Sequence, residues 1–270
     1  MTILQAVLLG IVQGFTEFLP VSSSGHLVLT QHLLNVNNPE IFSFDVYVHF
    51  GTLMSIFVVF WKDAYGILVA LWQSLKTMQF KKAFEQDEQF RLGVAIIVGT
   101  IPAAIIGLLF RDQVKDAFSD PKLVSMNLVV TGLLLFLTRL AKPKAHKKIN
   151  IASAALVGIA QAFAILPGIS RSGTTMSTAI YLRITAVQAA RFSFLLAIPT
   201  IGGAAFLETR HLLKEGVGIG IGPLIAGTLM AALSGYFAIR ILMRIMERGK
   251  FSLFAFYCLA VGVLGIIFIS

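Results

Sequence analysis

Two short stretches of this chain place reactive side chains among apolar neighbours. The first holds Gln13, Glu17, Ser22, Ser23, Ser24, Gly25 and His26, and the second holds Ser170, Arg171, Ser172, Gly173 and Thr175. Gln13 and Glu17 are four apart, so on one helix they share a face and stack a turn from each other. Ser22-Ser23-Ser24-Gly25 and Ser170-Arg171-Ser172-Gly173 each precede a helix-compatible run. In both, a serine can cap the helix while first-turn amides point free. A helix start acts like about half a positive charge and is a ready seat for phosphate. Arg171 adds a full charge and a planar fork that meets phosphate oxygens at two points. Two helix starts plus Arg171 therefore suit a highly charged diphosphate. His26 follows Ser23 by three residues, which would lay its imidazole over the serine hydroxyl or over a bound phosphate. Nucleophile, base and anion clamp are all represented. Simpler roles exist for each: serines cap helices, His26 can satisfy a carbonyl, and Glu17 can pair with Arg171 as a structural ion pair.

The rest of the chain says where these residues sit. It has 270 residues, 57% apolar and 13% charged, with mean hydropathy +0.84 and a formal charge of +9. Such a composition excludes a disordered or nucleic-acid-coating protein and points to a bilayer. Burying Glu17 or Arg171 there would cost about 2.5–3.5 kcal/mol each, so working residues are the expected reason for them. The lone Cys258 permits no intrachain disulfide and reads as packing. No signal-peptide pattern precedes the first apolar run, so Met1 reads as the true start. Six stretches approach the roughly 20 apolar residues that a span requires: 42–61, 92–110, 123–140, 192–207, 223–243 and 251–269. If they alternate, sixteen of the 22 Lys and Arg share one side and five the other. The positive side is cytoplasmic, which puts both termini and the 33–41 and 111–121 loops outside. Lys142–Lys148 reads as a cytoplasmic linker, and Gly216–Gly222 as a flexible outer turn.

Residues 3–35 and 151–182 do not read as spans. Beyond each polar bend about ten helix-compatible residues remain, roughly 15 Å of helix, half of a hydrocarbon core of about 30 Å. Each is expected to be two half-helices meeting at a bend inside the membrane, where irregular backbone survives only if protein or a wet cavity surrounds it. The two resemble each other. At an offset of 148, Gly10, Ile11, Gln13, Phe15, Ser22, Ser24 and Gly25 match Gly158, Ile159, Gln161, Phe163, Ser170, Ser172 and Gly173. At an offset of 128, Gly99-Thr100, Ala103-Ala104 and Gly107 match Gly227-Thr228, Ala231-Ala232 and Gly235. The expected fold is an all-α polytopic membrane protein of six transmembrane helices and two re-entrant helical hairpins, one membrane domain made of repeat 1 (1–148) and repeat 2 (149–270). With three spans per repeat, the second copy is inverted and the two bends meet near the midplane, as in transporters. Small residues four apart let helices approach closely. Asp45 and His49, four apart, either line the site's entrance or mark a wet helix end. No HxxxH or similar metal spacing occurs.

At these residues the chain resembles the integral-membrane undecaprenyl-diphosphate phosphatases, also called bacitracin-resistance proteins, over essentially its whole length. Gln13 to Glu17 leading to Pro20–His26 is similar to one family signature, and Pro167–Ser172 to the other; the Phe192–Ala197 run and Pro199 look similar too. Many members carry glutamate where this chain has Gln13, so a second carboxylate for a divalent cation is lost. The resemblance implies hydrolysis of undecaprenyl diphosphate to undecaprenyl phosphate and inorganic phosphate, recycling the lipid carrier of cell-wall synthesis and conferring bacitracin resistance. It implies Ser23 as nucleophile, with His26 as the alternative, Glu17 and His26 in acid–base roles, and Arg171 stabilising the transferred phosphoryl group. Gln13, Ser22, Ser24, Gly25, Ser170, Ser172 and Thr175 would line the pocket. A divalent cation, Mg²⁺ or Ca²⁺, stays open, with Glu17 as its ligand, and so does a homodimer. The partners implied are a polyprenyl diphosphate and membrane lipid, without nucleic acid, in the bacterial plasma membrane with the site opening outward. A secondary transporter or lipid flippase is the competing reading, since inverted repeats with broken helices are the transporter plan.

Overall fold

The computed structural model describes residues 1–36, 41–118, 120–141, 148–215 and 220–268, and all regular structure in them is helical. The first half contains α1 (Ile3–Phe18), α2 (Ser23–Leu33), α3 (Ile41–Val59), α4 (Trp61–Thr77), α5 (Phe80–Gln86), α6 (Glu88–Leu109), α7 (Arg111–Ala117) and α8 (Pro121–Leu137). The second contains α9 (Ile151–Phe163), α10 (Arg171–Tyr181), α11 (Ala186–Glu215), α12 (Ile221–Glu247) and α13 (Leu253–Phe268).

Among the described residues four helices are long and apolar enough to cross a membrane: α6, α8 with its 3-10 extension to Leu140, the Ala186–Leu207 part of α11, and α12. A fifth appears if α3 and α4, bent by 84° at Phe60, count as one span. The stretch at 251–269 yields α13, whose 16 residues extend roughly 24 Å. Large apolar side chains project outward, such as Ile97, Ile101, Ile105 and Leu108 on α6 and Leu229, Leu233 and Phe237 on α12. Surface of that kind belongs in lipid. The 62–91 segment, between two of the six apolar stretches, holds α4 and α5, and the 111–121 loop holds α7. Residues 142–147 and 216–219, parts of the two loops read above, lie outside the described residues.

Both polar bends fall at the expected places. Thr2 and Gln5 form a capping box that starts α1, and Pro20 ends it, because the residue before a proline is pushed out of the helical region. Leu19 accordingly is extended. Ser22 then caps α2. In the second half Asn150 caps α9, the chain turns through Pro167 and Gly168 at φ +89°, and Ser170 caps α10. The first limb is longer than half a membrane: α1 has 16 residues against 13 for α9, while α2 and α10 have 11 each.

Packing crosses between the two halves. α1 lies along α12 and α9 along α6, while α8 pairs with α13. Backbone touches backbone at two glycine pairs: a Cβ added to Gly10 would stand 2.3 Å from the Gly227 carbonyl oxygen, and one on Gly158 2.4 Å from that of Gly99. Neither neighbour is a side chain that can swing aside. Gly10→Ala and Gly158→Ala should therefore each destabilise by about 1–3 kcal/mol, read as a lowered thermal midpoint in detergent. Gly203→Ala, with nothing among the described residues within 4 Å of its added Cβ, should hold or slightly raise the midpoint, since alanine favours a helix interior over glycine.

Candidate active site

The two bends interlock. Ser172 Oγ donates to the Leu19 carbonyl at 3.2 Å. A Cβ on Gly25 would lie 3.3 Å from Gly168 Cα, a tight approach of one turn to the other, whereas one on Gly173 would press on its own cap, 3.0 Å from Ser170 Cβ. The caps repeat each other: Gly25 N–H donates to Ser22 Oγ at 3.3 Å and Gly173 N–H to Ser170 Oγ at 3.0 Å, with Ser24 and Ser172 hydroxyls each 3.3 Å from the capping oxygen. Ser22 holds φ +67°, a left-handed conformation that costs a non-glycine residue about 1–3 kcal/mol and clusters at functional sites.

The irregular backbone is satisfied from the neighbouring helices. Asn127 Nδ2 donates to the Pro167 carbonyl at 2.7 Å, Thr131 Oγ1 to the Gly168 carbonyl at 2.9 Å, and Ser170 N–H to Thr131 Oγ1 at 3.0 Å. Cys258 Sγ, buried on α13, donates to the Pro20 carbonyl at 3.5 Å. An unpaired carbonyl in hydrocarbon would cost several kcal/mol, and these partners remove that cost.

Glu17 is the hub. Its Oε1 accepts from the Arg171 guanidinium. Its Oε2 accepts from Ser23 Oγ at 2.5 Å and from Gln13 Nε2 at 2.9 Å. His49 Nε2 stands 3.4 Å from the same oxygen. His49 Nδ1 is 2.6 Å from the Asp45 carbonyl; a carbonyl only accepts, so Nδ1 carries the hydrogen and Nε2 is turned to Glu17. Asp45, buried, accepts from Gln31 Nε2 at 2.6 Å. Thus Gln13, Glu17, Ser23 and Arg171 come together, and His49 joins them from α3 instead of standing at an entrance. Gln13 Oε1 is buried with no hydrogen-bond partner among the described residues.

His26 is placed differently from the expectation. Its Nδ1 donates to the Ser22 carbonyl at 2.8 Å, and its Nε2 lies 2.8 Å from Tyr257 Oη, the two rings stacked 8° from parallel. An i to i−4 bond to its own helix start draws the ring from Ser23, so Glu17 and not His26 is the partner of that hydroxyl. Thr175 departs too. Its hydroxyl is 2.6 Å from Ser193 Oγ on α11 and donates to the Arg171 carbonyl at 2.8 Å, so it ties α10 to α11 rather than presenting itself to a ligand. Tyr257, Thr131 and Asn127 were not legible as site residues; they come from α13 and α8, far away in sequence, and carry no local motif.

Among the described residues, no group of three or more His, Cys, Asp and Glu could hold a metal ion. Mg²⁺ and Ca²⁺ want several oxygen ligands, yet both oxygens of Glu17 face donors, one of them a guanidinium. The donor set does not fit a divalent cation.

Residues 6–264 match the family described as bacitracin resistance protein BacA. Among full-length relatives, a protein of Halothermothrix orenii is 43% identical over 99% of this chain and 98% of its own length. One of Salinibacter ruber is 41% identical over 98% and 99%, and one of Desulforapulum autotrophicum 41% over 99% and 98%; all three are named undecaprenyl-diphosphatase. With the signatures Gln13–His26 and Pro167–Ser172 folded into one interlocked site, this chain belongs to the BacA bacitracin-resistance family.

Proposed function

We propose that this multi-pass membrane protein is an undecaprenyl-diphosphatase in which Ser23 is the nucleophile, Glu17 its base and Arg171 the clamp on the transferred phosphoryl group. The enzyme name comes from relatives aligned end to end; the observation that carries the mechanism is the 2.5 Å bond from Ser23 Oγ to Glu17 Oε2. The terminal phosphate settles against the first-turn amides of α2 and α10, and Arg171, only partly covered, shares its fork between Glu17 and the phosphate oxygens. Glu17 takes the Ser23 proton as Ser23 Oγ bonds to the terminal phosphorus. The bond from that phosphorus to the bridging oxygen breaks, and its electrons leave with undecaprenyl phosphate. Water then attacks the phosphoserine, Ser23 Oγ recovers its proton from Glu17, and the water's protons leave with inorganic phosphate. Phosphoryl transfer needs mostly positioning and charge, and two helix starts with a guanidinium supply both. His26 is less suited to attack: Nδ1 is committed as a donor to the Ser22 carbonyl and Nε2 to Tyr257, so its role is to hold the start of α2.

The substrate explains the membrane. At about 0.8 kcal/mol per buried CH₂, a long isoprenyl tail keeps the diphosphate in the bilayer, and the site must meet it there. We read the chain as two inverted copies, 1–148 and 149–270, each with a re-entrant hairpin and three spans, in the plasma membrane with the site opening outward. The pairing of Gly10 with Gly227 and of Gly158 with Gly99 supports this, because it obeys both sequence offsets, 148 and 128.

Purified protein in detergent, where no compartment exists to transport across, should release phosphate from undecaprenyl diphosphate. Acid quenching during turnover should trap an acid-stable phosphoryl group on Ser23. An acid-labile one would move the nucleophile to His26, and no phosphate release would favour the transporter or flippase reading.

A further inference from the structure

α4 and α5 take no part in the site, yet they carry an organised surface. Trp61, Tyr65, Leu68, Trp72 and Leu75 recur at helical spacing and each is more than half exposed, whereas Ala64, Ile67, Ala70 and Ser74 on the opposite face are buried. That division is the amphipathic pattern of a helix with two different neighbours. Its inner face packs on the first turns of α6. A Cβ on Gly93 would lie 3.0 Å from Ile67 Cγ2, and one on Gly66 3.4 Å from Gln89 Cδ; Gln89 and Gly93 belong to the first turns of α6. Asp63 accepts from Arg191 near the start of α11, at 3.2 Å from Nε and 2.5 Å from Nη2. After its 84° turn from α3, α4 leaves the direction of that helix, packs on the first turns of α6 and reaches the start of α11 through Asp63, and its aromatic stripe is exposed.

The same elbow is basic. Lys62, Lys76, Lys81 and Lys82 are exposed. Of the acids near them, Asp63 is held by Arg191, Glu88 by Lys148, and Asp87 caps α6, which leaves Glu85. Lys76 Nζ sits 5.0 Å over the Trp72 ring. Where α4 gives way to α5, a shallow cavity of about 470 Å³ is lined by Met78, Gln79, Phe80, Lys81, Lys82 and Glu85, mixing apolar wall with two ammonium groups.

We propose that the α4–α5 elbow is an interfacial lipid-binding element: α4 lies in the bilayer surface with its aromatic stripe at the acyl boundary, and Lys76, Lys81 and Lys82 gather anionic phospholipid headgroups. Trp and Tyr favour that depth because one edge of each ring is apolar and the other polar. In-plane helices sink about 5–10 Å, within reach of the phosphates for a lysine that extends upward from its stem. The element collects anionic lipid where the chain carries most of its positive charge, independently of the chemistry at Glu17.

The chain's two tryptophans are both on α4, so fluorescence excited at the red edge, where tyrosine does not absorb, reports this helix alone. In vesicles, single-tryptophan proteins made by Trp61→Phe or Trp72→Phe should be quenched most by lipids brominated near the headgroup end of the acyl chain. Strongest quenching by bromine near the chain terminus would mean that α4 spans, and absence of quenching would mean that water or protein covers it; either overturns the proposal. In the second arm, energy transfer from tryptophan to dansyl-phosphatidylglycerol should exceed that to dansyl-phosphatidylcholine. Lys81→Gln with Lys82→Gln should cut the preference by roughly fivefold per lysine, as should raised salt, while phosphate release in detergent is unchanged. An unaltered preference in the double variant refutes the headgroup site. Because neither arm requires turnover, their failure is distinguishable from failure of the catalytic reading.

Discussion

Arg171→Ala should lower kcat by about 10³- to 10⁵-fold, the range an arginine that stabilises a transferring phosphoryl group is worth. In the resting site Arg171 bonds to Glu17 Oε1, and the Ser23 contact is to Oε2, so the variant keeps nucleophile and base together and loses only the clamp. Arg171→Lys retains charge without the planar fork and should stay at least about tenfold below the native enzyme. Stability separates this from a merely structural ion pair. Removing one partner of a buried pair costs about 3–5 kcal/mol, so Arg171→Ala lowers the thermal midpoint as well. Glu17→Gln with Arg171→Gln leaves no charge to compensate and should regain much of that stability while remaining inactive. A double variant that recovers turnover together with stability would show that the pair only holds the two bends together.

Those bends were the most legible part of the molecule because each rests on local chemistry. Pro20 stops α1 and Ser22 starts α2 by rules that act within a few residues, and the same holds for Pro167 and Ser170. The offset of 148 was legible for a related reason: the same cap is built twice. Gln13 and Glu17 share a face as their spacing requires. What stayed hidden depends on tertiary approach. The histidine that reaches Glu17 is His49 from α3, and nothing in an i to i+4 pair with Asp45 says which carboxylate it will meet. His26 has a strong local alternative, the Ser22 carbonyl one turn back, and that bond rotates it toward Tyr257. The 62–91 segment falls between the apolar stretches because hydropathy averages over a window, and α4 alternates Trp61, Tyr65 and Leu68 with Lys62 and Asp63. An in-plane helix has a high apolar contrast between faces but only a modest mean, so it escapes a count of spans.

Glu17→Gln should reduce kcat by about 10²- to 10⁴-fold, the usual worth of a positioned general base, while substrate affinity changes far less. Glutamine has the shape of glutamate, and its amide oxygen can still accept from Arg171, so the clamp stays near its place. What is lost is an oxygen that can take the Ser23 proton. His49 gives the contrast that makes this specific. Its Nε2 lies 3.4 Å from Glu17 Oε2 and its Nδ1 is fixed on the Asp45 carbonyl, so it acts on Ser23 only through Glu17. His49→Leu takes the ring nitrogen away from Glu17 Oε2, and its kcat should fall by roughly tenfold, about 1.4 kcal/mol of positioning, with His49→Gln recovering part of the loss by returning a polar group to that place. In the Glu17→Gln background His49→Leu should add little, because the carboxylate it serves is gone. Phosphate release under single-turnover conditions measures all four enzymes. Independent, multiplicative losses at the two positions would mean that His49 meets the substrate directly and that Glu17 is not the group through which Ser23 is activated.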